Sequence, residues 1–199
     1  MKIFKPFSFA ITSLMLISAH ASATLLSGGL NVDNGYVAYV STNNSVQGTQ
    51  VGAGNNWGAT YQFAGVNLDA GQDYYLHVYA YDQGWIAGFL GEFNLTGSDH
   101  LFANGQTNLT TNIIDWDVST TGWGNYQDAT SVGANGSWPW GYRPGVSSNA
   151  DWIWSADPYN NDHAYFTTLI SAAEVPEPSS LMLLGLGFVG LMATRKKLK

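Results

Sequence analysis

Between residues 24 and 173, apolar and polar positions alternate in short runs separated by Gly, Asn and Asp. The runs YVAYVS (36–41), ATYQFAGVNL (59–68), YYLHVYAYD (74–82), WIAGFLGEFNL (85–95), NIIDWDVS (112–119) and HAYFTTLI (163–170) are rich in β-branched and aromatic residues. Such composition between such boundaries predicts strands. DWIWS (151–155) adds a shorter one. No helical period runs through this stretch, where Lys, Glu and Arg are nearly absent. Short strands with turns between them predict an all-β fold, an antiparallel β-sandwich. The tight Gln83-Gly84 connection predicts that 74–82 and 85–95 form a hairpin. Residues 120–162 are long, Gly-rich and Trp-rich, with few clean strands. A loop of that length inside a compact domain is functional or holds structure of its own.

Side chains on a strand alternate between two faces. In 74–82, Leu76, Val78 and Ala80 therefore share a core-facing side. Tyr75, His77, Tyr79 and Tyr81 share the other, roughly 6.6 Å apart. This second set is either an aromatic platform or the lining of a sheet covered by loops. Tyr packed with its hydroxyl at the rim is common.

The two ends differ from the middle. MKIFKPFSFAITSLMLISAHASA has Lys2 and Lys5, an apolar run, and Ala21-Ser22-Ala23. These are the parts of a signal peptide, with cleavage expected after Ala23. Six of the seven basic residues lie in the terminal segments, leaving Arg143 alone between 24 and 173. Twelve acidic residues there, all Asp except Glu92, give a net charge near −11. That surface disfavours nucleic acid as a partner. The chain has no cysteine, so this domain must be held by its core. The organisation is a signal peptide at 1–23, a β-sandwich domain at 24–173, and a C-terminal segment at 174–199.

The segment VPEPSSLMLLGLGFVGLMATRKKLK (175–199) contains Pro176-Glu177-Pro178, an apolar stretch from Leu181 to Ala193, and a basic end. In that order and place it resembles the PEP-CTERM sorting signal. As a helix, residues 179–194 span about 24 Å, short of a roughly 30 Å hydrocarbon core unless the basic residues snorkel. Basic residues stay on the cytoplasmic side, which places the tripeptide near the outer face. Its prolines keep it extended and unpaired. The resemblance implies exosortase as a partner, cleavage near Pro176, Glu177 and Pro178, membrane association before processing, and delivery to the cell surface or exterior. It also implies association with exopolysaccharide matrices.

Catalytic signatures are lacking. There is no G-x-S-x-G and no H-E-x-x-H. Asp115 and Asp117 are placed to share a strand face, which leaves an Asp-dependent glycoside hydrolase as a rival reading. A binding protein fits better. All eight Trp lie in the domain, and aromatic faces stack on sugar rings. SWPWGYRPG (137–145) supplies Trp138, Trp140 and Arg143, and strand 74–82 supplies Tyr75 and Tyr79. Asp33, Asp157 and Asp162, in Asx-rich loops, offer hard oxygen ligands for Ca²⁺, although turn chemistry also explains such loops. The strand pattern and aromatic content loosely resemble jelly-roll, galactose-binding-like modules. The expectation is a non-catalytic surface or matrix protein contacting polysaccharide. The alternative is a purely structural matrix protein.

Overall fold

The alternation becomes two stacked antiparallel sheets in the computed structural model, which describes residues 23–173 together with Leu184, Gly185 and Gly187. In chain order the strands are β1 (Thr24–Asp33), β2 (Gly35–Ser41), β3 (Thr49–Gly54), β4 (Tyr61–Leu68), β5 (Tyr74–Tyr81), β6 (Gly88–Leu95) and β7 (His100–Phe102). They continue with β8 (Asn108–Thr110), β9 (Asp117–Ser119), β10 (Gln127–Asp128), β11 (Thr130–Ala134), β12 (Asp151–Trp154) and β13 (His163–Ala172). Sheet A has the order β11-β12-β6-β1-β4, with β8 also on β6. Sheet B has the order β10-β9-β13-β5-β2-β3, with β7 also on β13.

The core between the sheets follows from the alternation. Leu26, Leu30, Val32, Phe89 and Phe93 of sheet A meet Ala38, Leu76, Val78, Ala80 and Phe166 of sheet B. Trp116 fills the middle, edge-on to Phe89 at 5.2 Å. Its indole N–H donates to the Thr110 carbonyl, so the buried ring leaves no unpaired donor. Gly28 of β1 is required by this packing. A Cβ there would lie 2.4 Å from Phe93 and 2.9 Å from Phe63.

The expected hairpin does not form. β5 belongs to sheet B, between β13 and β2, whereas β6 belongs to sheet A, between β1 and β12. Both strands carry an apolar face that must reach one core. The chain therefore arches from one sheet to the other instead of pairing back on itself. The Asp82 amide donates to the Asp162 carbonyl and that of Ala87 to the Pro158 carbonyl, fixing the arch. The expected strand 112–119 is also shorter. Residues 112–115 form a turn around the Asn112 side chain, which accepts from the Ile114 and Asp115 amides. Asp115 thus stands outside β9 and does not share its face with Asp117. Strand β1 was not anticipated. Residues 120–162 contribute β10, β11 and β12.

Residues 1–22 of the expected signal peptide lie outside the described residues. So do Pro176, Glu177, Pro178 and most of the apolar stretch. Among the described residues no helix is long and apolar enough to cross a membrane.

Candidate functional site

The outer side of sheet A carries its own lid. Even positions of β6 point outward, and Leu90 forms a second cluster with Ile86, Trp140, Val146, Ala150 and Trp152. Asn135 shapes the covering segment. Its amide NH₂ donates to the carbonyls of Arg143, Val146 and Ser147, and its side-chain oxygen accepts from the Arg143 amide. The Ser147 amide donates to the Glu92 carboxylate at 2.7 Å, pinning the segment to β6. Gly88 is needed beneath it, since a Cβ would meet Trp140 at 2.8 Å and Trp152 at 2.9 Å.

This lid separates two tryptophans that stand two residues apart. Trp140 is 3 % exposed and stacks on Trp152 with ring centres 4.4 Å apart. As a ligand-facing ring it is therefore corrected: its faces serve the second cluster. Its N–H donates to the Asp33 carboxylate at 2.8 Å. Burial pushes the Asp33 carboxyl above its ordinary range. The Trp140 hydrogen bond and the Arg143 charge oppose that shift, and Asp82 adds to it. Trp138 is 74 % exposed and meets Trp85, 60 % exposed, edge to face at 5.0 Å. Trp85 has φ of 84°. For a bulky residue this left-handed conformation costs of the order of 1–3 kcal/mol, and such strain clusters at functional sites. Arg143 lies 5.0 Å over the Trp57 ring and donates to the Gly58 carbonyl. Burial lowers its pKa and Asp33 opposes the shift. Trp57, Tyr142 and Tyr159 are also exposed.

The outer side of sheet B is built differently. Registered neighbours place Ser119, Tyr165, Tyr79 and Val37 in one row, and Asp117, Thr167, His77 and Tyr39 in the next. Tyr79 and Tyr165 are 5.0 Å apart, and the Tyr79 hydroxyl bonds His163 Nδ1 at 2.9 Å. Tyr75 stands beside His77 at 6.1 Å. Trp123 lies flat on His77 at 4.6 Å and edge-on to Tyr39 and Tyr165. Asn44 comes over the second row, accepting from Thr167 at 2.7 Å and lying 3.3 Å from His77 Nε2. Tyr126 donates to the Asn44 carbonyl. Under this cover burial pulls the His77 pKa down to about 4, partly offset by the backbone of Gln47 and Val46. Burial raises the Tyr79 and Tyr39 pKa values, with Tyr165 contributing to both.

The acidic candidates do not converge. Asp157 accepts from Asn160 through both oxygens, Asp162 is exposed, and Asp33 is taken by Trp140. Among the described residues no group of three or more His, Asp or Glu is placed to hold a metal ion. Asp117 pairs in register with Asp128, and burial and that neighbour raise its pKa.

The geometry thus brings Arg143 within reach of the Asp33 charge, sets Trp138 beside Trp85, and puts Tyr75 and Tyr79 on the outer side of sheet B. Sequence reasoning missed Trp57, Trp85, Trp123, Tyr165 and His163 as members. For the last two the signal was present. HAYFTTLI alternates as YYLHVYAYD does, with His163, Tyr165 and Thr167 on one face.

Fold and surface together define an all-β sandwich module with aromatic side chains displayed on two sides. Residues 174–197 match the PEP-CTERM protein-sorting motif. The chain therefore carries the signal by which exosortase sorts proteins to the cell surface. Neither the curated proteins nor the solved structures gave a match.

Proposed function

We propose that this protein is a non-catalytic surface module that contacts extracellular polysaccharide through the Trp85–Trp138 pair. The observation that carries this reading is that pair itself: two largely exposed indoles, edge to face, one held in a strained conformation. Exposed rings at right angles offer a sugar both a stacking face and a wall. Arg143, the one Lys or Arg between residues 24 and 173, stands over Trp57 and faces the Asp33 charge, so this reading favours neutral sugars over anionic ones.

In this reading residues 1–23 direct export, and exosortase cuts near Pro176–Pro178, freeing the sandwich from its apolar tail. Mass spectrometry of the exported protein should find a C-terminus near residues 175–178. Recovery of intact Lys199 from surface material would refute that step.

Binding is tested by tryptophan fluorescence with a soluble mixed-linkage glucan, a galactomannan and a xylan. At least one should shift the emission, and Trp85→Ala with Trp138→Ala should weaken it roughly tenfold, about 1.4 kcal/mol. Silence with all three polymers would leave the purely structural reading standing. Turnover of any of them would replace both with an enzyme.

A further inference from the structure

We infer that the outer face of sheet B is a second polysaccharide site, so that one module bridges two glycan strands. The inference rests on the reading above, that the protein contacts neutral polysaccharide. It adds a separate surface and a separate consequence.

The floor of this site is formed by Tyr79, Tyr81 and Tyr165, half-buried, with exposed His163 at its end. Tyr79 to Tyr165 is 5.0 Å, Tyr79 to His163 is 5.9 Å, and Tyr165 to Trp123 is 4.9 Å. Trp123 stands at one side, at 84° to Tyr165. It is fixed by its stack on His77, and Asn44 and Tyr126 brace the surrounding loops. The surface is therefore formed before any ligand arrives. Preorganised rings lose little entropy on binding.

Three observations say what occupies it. First, each ring has a polar edge: three phenols and an imidazole, suited to hydroxyl groups rather than to an apolar protein partner. Ser119, the registered neighbour of Tyr165, also lines a hollow of about 320 Å³ at the sheet edge, with Asn125, Gln127 and Asp128 on one side and Ser155 and Ala156 on the other. Hydrogen-bonding groups thus continue from the aromatic floor. Second, the face has no Lys or Arg. The one Arg between residues 24 and 173 belongs to the other surface, and Asp117, Asp128 and Asp162 flank this one. Anionic glycans and nucleic acids are repelled, and a neutral sugar chain is not. Third, the protein covers the equivalent face of sheet A with its own 135–150 segment, whereas this face keeps aromatic side chains within reach of solvent.

Trp138 stands on the 135–150 segment that covers sheet A and Trp85 on the arch from β5 to β6, whereas the tyrosines stand on the outer face of sheet B. A sugar strand lying flat on the tyrosines of sheet B leaves the two indoles to take another. Two strands are thereby held by one rigid link.

The test uses the exported protein and whichever of the three neutral polymers binds it, with the matching hexasaccharide. Calorimetry should give two hexasaccharides per chain. Trp85→Ala with Trp138→Ala should leave one, Tyr79→Ala with Tyr165→Ala should leave one, and the four together none. With the long polymer, wild type should raise viscosity and light scattering. Either pair of substitutions should abolish that rise while binding persists. A single hexasaccharide lost with the Trp pair alone would overturn the second site and leave the first reading intact. A single hexasaccharide lost with the Tyr pair alone would overturn bridging and the Trp site together. No binding at all would remove both. If the Tyr variants unfold, His163→Ala with Tyr81→Ser probes the same floor from its exposed end, and unchanged stoichiometry and scattering there would overturn the inference.

Discussion

The two outer faces of the sandwich are finished in opposite ways. On sheet A, residues 135–150 fold back and bury Leu90 and Trp152 beneath Trp140, making a second small core. On sheet B, loops cover His77 and Thr167 and bring Trp123 edge-on to Tyr165, while Tyr79, Tyr81 and Tyr165 stay half-buried. Equal aromatic richness thus serves two ends. Where rings meet rings in a dry layer they stabilise the fold. Where the rings carry hydroxyl and imidazole groups on a half-buried face, they pack less completely.

Four measurements break or sharpen that contrast. Trp152→Ala should have the largest effect, about 3–5 kcal/mol, because it removes a fully buried ring from the second core. Urea denaturation reads it directly, and a loss under about 1 kcal/mol would mean that the lid is not a true core.

Asn135→Ala comes next, at about 2–3 kcal/mol. It strips partners from three carbonyls and one amide in the covering segment. Hydrogen exchange should show the Arg143 and Ser147 amides losing protection before those of β6.

The third concerns the other face. Burial lowers the His77 pKa from 6.5 to about 4, so the unfolded chain takes up the proton first. Its contribution is complete above pH 6.5, falls as pH drops from 6.5 to 4, and is lost below that. The span is about 2 kcal/mol after allowance for solvent screening. Subtracting the pH profile of His77→Phe from that of wild type should isolate this slope. A flat difference would show that the loops do not seal the ring.

The smallest effect belongs to Trp138→Ala, within about 0.5 kcal/mol, as expected for a surface position. Thermal midpoints should barely move. A large fall would make Trp138 part of the lid and remove it from the proposed binding pair.

Much of this was legible in advance, for physical reasons that differ by element. The two faces of β5 follow from period-two alternation, and both were readable from YYLHVYAYD. The all-β class followed from composition and from the turn residues. β1 was obscured because its pattern is broken where packing is tightest. Gly28 and Gly29 sit where side chains of neighbouring strands press in, and Asn31 is fully buried with its amide donating to the Ala59 carbonyl. The hairpin misled because nearness in sequence says nothing about which sheet a strand joins. That is decided by which core its apolar face must reach. The fates of Trp138 and Trp140 were also illegible. They depend on Asn135, on Gly88 and on a carboxylate at Asp33, none of which is local to SWPWG. Asp33 looked like a turn residue or a metal ligand, and its partner proved to be an indole more than a hundred positions away.

Arg143, which stands over Trp57, is also the residue that decides how the sandwich meets proteases outside the cell. It is the one basic residue between Lys5 and Arg195, and Pro144 follows it directly. Trypsin-like enzymes need a Lys or Arg that is not followed by proline. The whole sandwich therefore offers them no cleavable bond, and a tryptic digest of the surface-displayed protein should leave it in one piece.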